Sequence, residues 1–143
     1  MKATVIGDGG WGTALAIVLN SNGHDVTIWG PFQDYISKVK ESLENTSFLP
    51  GVSIPPEIEW TADISQAVDD SELIILAVPT KYFKDVISRL AGKIPPSCHV
   101  VSVAKGLDRE SHKRMSEVAQ DILGIDCVAA LSGPSHAEEV ARG

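Results

Sequence analysis

The stretch Thr4–Ala16 reads TVIGDGGWGTALA and gives the clearest indication of the fold. An apolar run breaks at glycines spaced as GxGxxG (Gly7, Gly9 and Gly12), and small and apolar residues then recur at helical spacing. This order predicts a strand, a tight turn and a helix. In dinucleotide-binding folds the first glycine makes the turn, the second lets the backbone approach a pyrophosphate, and the third lets the helix pack on the strand. The phosphates bind at the free N–H groups of the helix N-terminus. The stretch therefore predicts a dinucleotide site, and a purely structural glycine turn is the alternative.

Length, composition and charge limit the class of protein. The chain has 143 residues, of which 43% are hydrophobic, and this suits one domain over residues 1–143. Its net charge of -7 argues against a nucleic-acid partner or an anionic membrane surface, because such partners need clustered Lys and Arg. The longest apolar run, Leu73–Val78, is too short to cross a bilayer, and no basic leader precedes the first strand. We therefore expect a cytoplasmic protein that is not inserted in a membrane.

The two cysteines, Cys98 and Cys127, each precede a strand-like run. Cysteines in such positions are usually small buried hydrophobic residues. The chain has no CxxC or Cys/His spacing, so we expect neither a metal site nor a disulfide.

Strand and helix patterns alternate along the chain. The predicted strands are Ala3–Ile6, Asp25–Trp29, Glu57–Trp60, Leu73–Val78, His99–Ala104 and Cys127–Leu131. The predicted helices are Trp11–Asn22, Gln33–Glu44, Ile64–Asp69, Lys81–Leu90 and Ser111–Leu123. Two of the strands are apolar on both faces, which indicates a parallel sheet covered on each side by helices. Right-handed crossovers then predict a doubly wound, Rossmann-like α/β fold of three layers, with strand order 3-2-1-4-5-6.

The sequence also predicts where one helix ends and how another begins. Asn22 and Gly23 should end the first helix, with the glycine in the left-handed conformation. Asp63 and Gln66 have the spacing of a capping box for the short helix that follows.

In a doubly wound sheet the ligand binds beyond the carboxyl ends of the strands, so the residues after each strand are the site candidates. The second strand is followed by Gly30, Pro31 and Phe32, where an acid for the ribose 2′-hydroxyl of NAD would be expected. No acid stands there, since Asp34 comes later, and no Arg is placed for a 2′-phosphate. Because no carboxylate stands there to repel that phosphate, the sequence favours NADP over NAD. Phe32 either packs at the strand end or forms a wall beside the adenine.

The fourth and fifth predicted strands are followed by residues of different chemistry. Pro79 ends one strand, and Tyr82 after it could pack against a cofactor. Lys105 ends the other strand, and Gly106 lets the backbone turn away, so the ammonium should point into the crevice. There it could hold a substrate hydroxyl or phosphate, and partial burial could bring its pKa toward the catalytic range. The alternative is a solvated lysine at a strand end.

The last strand leads into Gly133, Pro134 and Ser135 before a helix-like run. Ser135 and Glu138 have capping-box spacing, and the same turn could present N–H groups to an anion. His136 has no evident carboxylate partner and is not expected to be a general base.

Several blocks, in order, resemble the NAD(P)-dependent glycerol-3-phosphate dehydrogenase family of bacterial type, over the whole chain. The matching blocks are GDGGWGTALA at 7–16, Asn45 with FLPG at 48–51, AVP at 77–79, KGL at 105–107, LSGPS at 131–135 and AEEV at 137–140. The resemblance implies hydride transfer between NAD(P) and sn-glycerol 3-phosphate or dihydroxyacetone phosphate, in support of glycerophospholipid synthesis. A small phosphorylated substrate is thus the expected partner, and a homodimer of the full-length form is compatible with it.

The resemblance also assigns roles to residues. Together with the glycine turn and the strand ends, it implies a cofactor set of Gly7, Gly9, Gly10, Trp11, Gly12, Pro31, Phe32, Tyr82, Lys105 and Ala137. The implied substrate set is Lys105, Gly133 and Ser135, with Lys105 as the catalytic residue.

Family chains are more than twice this long, and their helical C-terminal domain supplies a second lysine as proton acceptor and an Arg-Asn pair for the substrate. We therefore expect a fragment or isolated N-terminal domain that binds dinucleotide but is inactive alone. Two alternatives stay open: a stand-alone dinucleotide-sensing module, and a domain of a 3-hydroxyacyl-CoA or 6-phosphogluconate type of dehydrogenase. The KGL and LSGPS blocks count against the second.

Overall fold

A parallel six-stranded sheet forms the middle layer in a computed structural model that describes residues 1–143. Its strands are β1 (Lys2–Ile6), β2 (Asp25–Trp29), β5 (Glu59–Thr61), β6 (Leu73–Leu76), β7 (His99–Ser102) and β8 (Ala129–Ala130). Their spatial order is β5-β2-β1-β6-β7-β8, which is 3-2-1-4-5-6 when the strands of this sheet are counted along the chain. The predicted Rossmann-like α/β fold and strand order are confirmed.

Helices cover both faces of the sheet. They are α1 (Gly10–Ser21), α2 (Gln33–Ser42), α3 (Ile64–Val68), α4 (Thr80–Ser88), α5 (Met115–Leu123) and α6 (Ala137–Arg142). Alternate strand residues contribute to two separate cores, as the period of a strand requires. Ile28 packs with α1 and α2 on one face, and Trp29 packs with α3, α4 and α5 on the other. None of these helices has both the length and the apolarity needed to cross a membrane.

A two-stranded antiparallel hairpin, β3 (Glu44–Asn45) and β4 (Leu49–Ser53), was not predicted from the sequence. The predicted second helix runs to Glu44, but the helix ends at Ser42 because Leu43 adopts a left-handed conformation with φ 52°. Leu49 of the hairpin is fully buried, in a small cluster that α1 and α6 also contact. The hairpin therefore connects the helix of the glycine turn to the last helix of the chain.

The strands nearest the last edge are shorter than predicted. β6 and β7 each end two residues early, and β8 keeps only Ala129 and Ala130 of the predicted Cys127–Leu131. β8 is an edge strand paired only with β7, and both of its residues are exposed. For the same reason Cys127 is exposed, so its predicted burial is wrong, whereas Cys98 is partly buried and both thiols are free.

The helix predicted to begin at Ser111 begins instead at Met115, and the cause is Asp108. The carboxylate of Asp108 accepts hydrogen bonds from the backbone N–H and the hydroxyl of Ser111, at 2.9 and 2.7 Å. His112 then takes a left-handed φ of 56°, which a helix cannot include. An Asp that binds backbone N–H groups in this way favours a turn over a helix.

Of the three predicted helix-end motifs, the glycine after α1 is found as predicted and the capping box before α3 is found in altered form. Gly23 ends α1 with φ 78°, as predicted. Asp63 accepts from the N–H groups of Ser65 and Gln66, but the Gln66 side chain is bound to Thr61 and does not close the capping box. The third motif is absent.

The predicted capping box of Ser135 and Glu138 is wrong. The N-cap of α6 is His136, without a side-chain hydrogen bond, because the helix begins one residue later than the spacing assumed.

Candidate functional site

A cavity of about 780 Å³ opens at the carboxyl ends of the central strands, where the strand order reverses. Loops after β1, β2, β6 and β7 form its walls, as expected for a ligand site in this topology. Every residue of the predicted cofactor set lines it: Gly7, Gly9, Gly10, Trp11, Gly12, Pro31, Phe32, Tyr82, Lys105 and Ala137. Residues from five separate parts of the chain thus share one space.

The floor of the cavity is backbone, and side chains are excluded there by close packing. At Gly7, φ is +124° and an added Cβ would lie 2.6 Å from the carbonyl oxygen of Ala77. A Cβ at Gly12 would overlap the Gly7 carbonyl oxygen, and one at Gly10 would overlap that of Phe48. Gly9 differs from these three, because a Cβ there meets nothing within 4 Å. The space in front of Gly9 is therefore left open by the protein.

The N-terminus of α1 faces this floor. Gly9 is the N-cap, and the first helical hydrogen bond runs from the N–H of Thr13 to the Gly9 carbonyl. The preceding N–H groups, on Gly10, Trp11 and Gly12, donate to no carbonyl of the chain. No acidic residue lies in the first turn of the helix. Free donors at the positive end of a helix dipole suit a ligand phosphate, so this part of the cavity fits a pyrophosphate.

Asn45 of the unpredicted hairpin holds the glycine turn in place. Its amide is fully buried and donates to the carbonyl of Asp8 and to the hydroxyl of Thr13, both at 2.8 Å. The Thr13 hydroxyl donates in turn to the Gly9 carbonyl, at 2.9 Å, and the Tyr35 hydroxyl donates to Asn45 Oδ1, at 2.5 Å. This network holds the carbonyl groups of Asp8 and Gly9, the two that flank the Gly9 Cα, in fixed positions.

We expect Asn45→Ala to lower the free energy of unfolding by about 2–4 kcal/mol, because several buried polar groups lose their partners together. Denaturant unfolding measures this loss. The matched control is Asn22→Ala at the exposed end of α1, where one bond to the Val18 carbonyl is removed and the loss should stay below about 1 kcal/mol. Equal losses at the two sites would contradict a stabilising role for the network.

The end of β2 borders the cavity with aromatic and acidic groups. Phe32 and Tyr82 are 68% and 52% exposed, which is high for aromatic side chains and leaves their surfaces available to a ligand. Gly30 is buried against the side chain of Asp8, since a Cβ at Gly30 would lie 2.5 Å from Asp8 Oδ2. Burial raises the pKa of the Asp8 carboxyl above its ordinary value. Sequence reasoning missed Asp8 because it precedes the second glycine of the turn, far in the chain from β2.

Lys105 lines the cavity at the end of β7, as predicted. The hydroxyl of Thr80 donates to the Lys105 carbonyl at 3.2 Å, and Gly106 turns the chain away with φ +94°. The expected partial burial is not found, because Lys105 is exposed. Residues 1–143 thus place Lys105 at the wall of the cavity but leave its side chain exposed to solvent.

The segment before α6 contributes in part. Ser135 and Ala137 line the cavity, whereas Gly133, the third predicted substrate residue, lies outside its wall. His136 does not line it either. Asp85 and Phe48 line the cavity and were not predicted. Phe48 belongs to the FLPG block of residues 48–51, so its match to a known pattern was the available signal.

Comparison with known proteins points to one family. A sequence model described as "NAD-dependent glycerol-3-phosphate dehydrogenase N-terminus" matches residues 2–143. A glycerol-3-phosphate dehydrogenase [NAD(P)+] of Bacillus pumilus is 42% identical over 142 residues, covering 97% of this chain and 41% of the relative.

Solved structures of that name superpose closely. The glycerol-3-phosphate dehydrogenase of Coxiella burnetii has a TM-score of 0.91 at 31% identity, covering 99% of this chain and 43% of that one. The Saccharomyces cerevisiae enzyme has a TM-score of 0.87 at 27% identity, covering 99% of this chain and 44% of that one. The chain therefore spans about two fifths of the length of the relatives it matches.

Proposed function

Because the chain belongs to the NAD-dependent glycerol-3-phosphate dehydrogenase family, as its N-terminal part, we propose that residues 1–143 are a domain that binds NAD or NADP. The observation that carries the proposal is the open floor at Gly9, beside the free N–H groups of α1, in a cavity of about 780 Å³. That combination is what a pyrophosphate between two nucleosides requires.

The remaining cofactor residues divide between the two ends of the cavity. Pro31 and Phe32 border the side of β2, where apolar and aromatic surface suits a nucleobase, and Tyr82 lies in α4, after β6. Lys105 and Ala137 border the other side with Ser135. A nicotinamide bound there would supply the hydride acceptor or donor of the reaction.

We propose that the whole protein interconverts sn-glycerol 3-phosphate and dihydroxyacetone phosphate, and that Lys105 is the catalytic residue of this domain. Its ammonium would bind the C2 oxygen of the substrate and stabilise negative charge that develops there. The Ser135 hydroxyl is the nearby neutral donor for the same substrate. Gly133 and the remaining substrate contacts stay predictions, as do a homodimer and a cytoplasmic location.

The choice between NAD and NADP is also a proposal. The prediction of NADP from the sequence depends on the lack of a carboxylate after Trp29. Asp8 supplies a carboxylate beside Gly30 from another part of the chain, so that premise no longer holds in three dimensions.

Calorimetric titration of the 143-residue chain with NADH and NADPH tests the proposed domain function. We expect one saturable site per chain for at least one of the two dinucleotides. Inorganic pyrophosphate is the control, since general attraction of anions to α1 would give similar heat without the nucleosides. A folded chain that binds neither dinucleotide would contradict the proposal.

A further inference from the structure

The carboxyl group nearest the end of β2 comes from the glycine turn. Gly30, Pro31 and Phe32 follow β2 and carry no charge. Gly30 is buried, and a Cβ there would lie 2.5 to 2.9 Å from the side-chain atoms of Asp8. Asp8 therefore fills the space that a side chain at position 30 would occupy. The Asp8–Gly30 pair places a carboxylate where many NAD-binding folds place the acid that follows the second strand.

Asp8 has no partner in the protein that explains its position. Its carboxyl lines the cavity and is partly buried, yet it forms no ion pair and accepts no hydrogen bond from another residue. Burial without a partner costs free energy and favours the protonated form, which agrees with the raised pKa. A ligand that donates hydrogen bonds to the carboxylate would remove this cost.

We propose that Asp8 selects the dinucleotide by its adenosine ribose, accepting hydrogen bonds from the free 2′-hydroxyl of NADH and repelling the 2′-phosphate of NADPH. This inference rests on the proposed function, and it reverses the preference for NADP that the sequence predicts. A hydroxyl can donate to a carboxylate, whereas a phosphate ester brings further negative charge into a partly buried space. Like charges at short range in such a space disfavour binding strongly.

A competing cation is Arg89, because a guanidinium can bind a 2′-phosphate. Its guanidinium lies over the ring of Trp29, with Cζ 5.0 Å from the ring centroid, and the side chain does not line the cavity. The cation is therefore held against an aromatic face outside the space that Asp8 borders.

Calorimetric titrations with NADH and NADPH, on the chain and on Asp8→Asn, test the inference. We expect the unmodified chain to bind NADH about tenfold or more tightly than NADPH, and Asp8→Asn to reduce that ratio about tenfold, mainly by strengthening NADPH binding. The matched control is Asp34→Asn, which removes the same charge from the exposed first turn of α2 outside the cavity and should leave the ratio unchanged. Asparagine matches the size of aspartate and can pack against Gly30 in the same way, and the Asp8 carboxyl forms no ion pair or hydrogen bond with another residue, so the variant should fold.

The results of these titrations distinguish a failure of the inference from a failure of the proposed function. Equal affinities, tighter NADPH binding by the unmodified chain, or an unchanged ratio in Asp8→Asn would overturn the inference while the proposed function stands. A selective loss of NADPH binding in Arg89→Ala would also overturn it, because Arg89 would then hold the 2′-phosphate. Failure to bind either dinucleotide would contradict the proposed function itself, and the inference with it.

Discussion

Gly9→Val should weaken dinucleotide binding at least about 100-fold while the protein stays folded. The backbone of Gly9 has φ -71° and ψ 172°, an extended conformation that valine adopts readily. A Cβ there meets no protein atom within 4 Å, so the new side chain costs the fold little. It would instead occupy the space in front of the free N–H groups of α1, where the proposed pyrophosphate binds. Titration with NADH measures the loss, and thermal unfolding checks that the variant is folded.

Gly133→Val is the matched control for dinucleotide affinity. A Cβ at Gly133 also meets nothing within 4 Å, its φ lies outside the left-handed range, and the residue lies outside the cavity. This variant should bind NADH as the unmodified chain does. If folded Gly9→Val kept normal affinity, the assignment of the glycine turn to the pyrophosphate would be wrong.

Lys105→Ala should lower kcat/KM for glycerol 3-phosphate by about 10²–10³ or more, measured in a protein that carries these residues together with a substrate domain. Lys105 lines the cavity beyond the end of β7, so the substitution removes the positive charge that we propose stabilises the C2 oxygen. Dinucleotide affinity should fall by less than about tenfold, because the glycine turn is untouched. Steady-state kinetics combined with calorimetry separates the two effects.

Two further variants sharpen the Lys105 experiment. Lys105→Arg should not restore activity, since a planar guanidinium cannot place its charge where a compact ammonium does. Lys38→Ala removes one exposed positive charge from α2, outside the cavity, and should change kcat/KM by less than about twofold. Near-normal turnover of Lys105→Ala would mean that this lysine is only a solvated residue at a strand end.

The glycine turn and the strand ends were predictable because their signals are local. Gly7 and Gly12 serve the conformational and packing roles that their spacing indicated. Lys105 was located from its place after an apolar strand, since the carboxyl ends of parallel strands meet at one edge. Its exposure was not predictable, because burial depends on how much of the molecule covers the crevice.

The features that escaped prediction depend on contacts between distant parts of the chain. The hydrogen bonds from Asn45 to the glycine turn join residues that are 37 and 32 positions apart, and no periodic pattern indicates a two-residue strand. The carboxyl of Asp8 reaches Gly30 only because β1 and β2 are neighbours in register, Ile6 beside Trp29. The sequence therefore predicted most of the residues that line the cavity but not the position of the Asp8 carboxyl beside Gly30.

A crystal structure of the 143-residue chain with NADH bound would locate the dinucleotide. We expect the pyrophosphate against the N–H groups of Gly10 and Trp11, in front of Gly9, with the adenosine beside Phe32 and the nicotinamide on the side of Lys105. A dinucleotide bound elsewhere, or bound in this cavity with its phosphates away from the N-terminus of α1, would contradict this expectation.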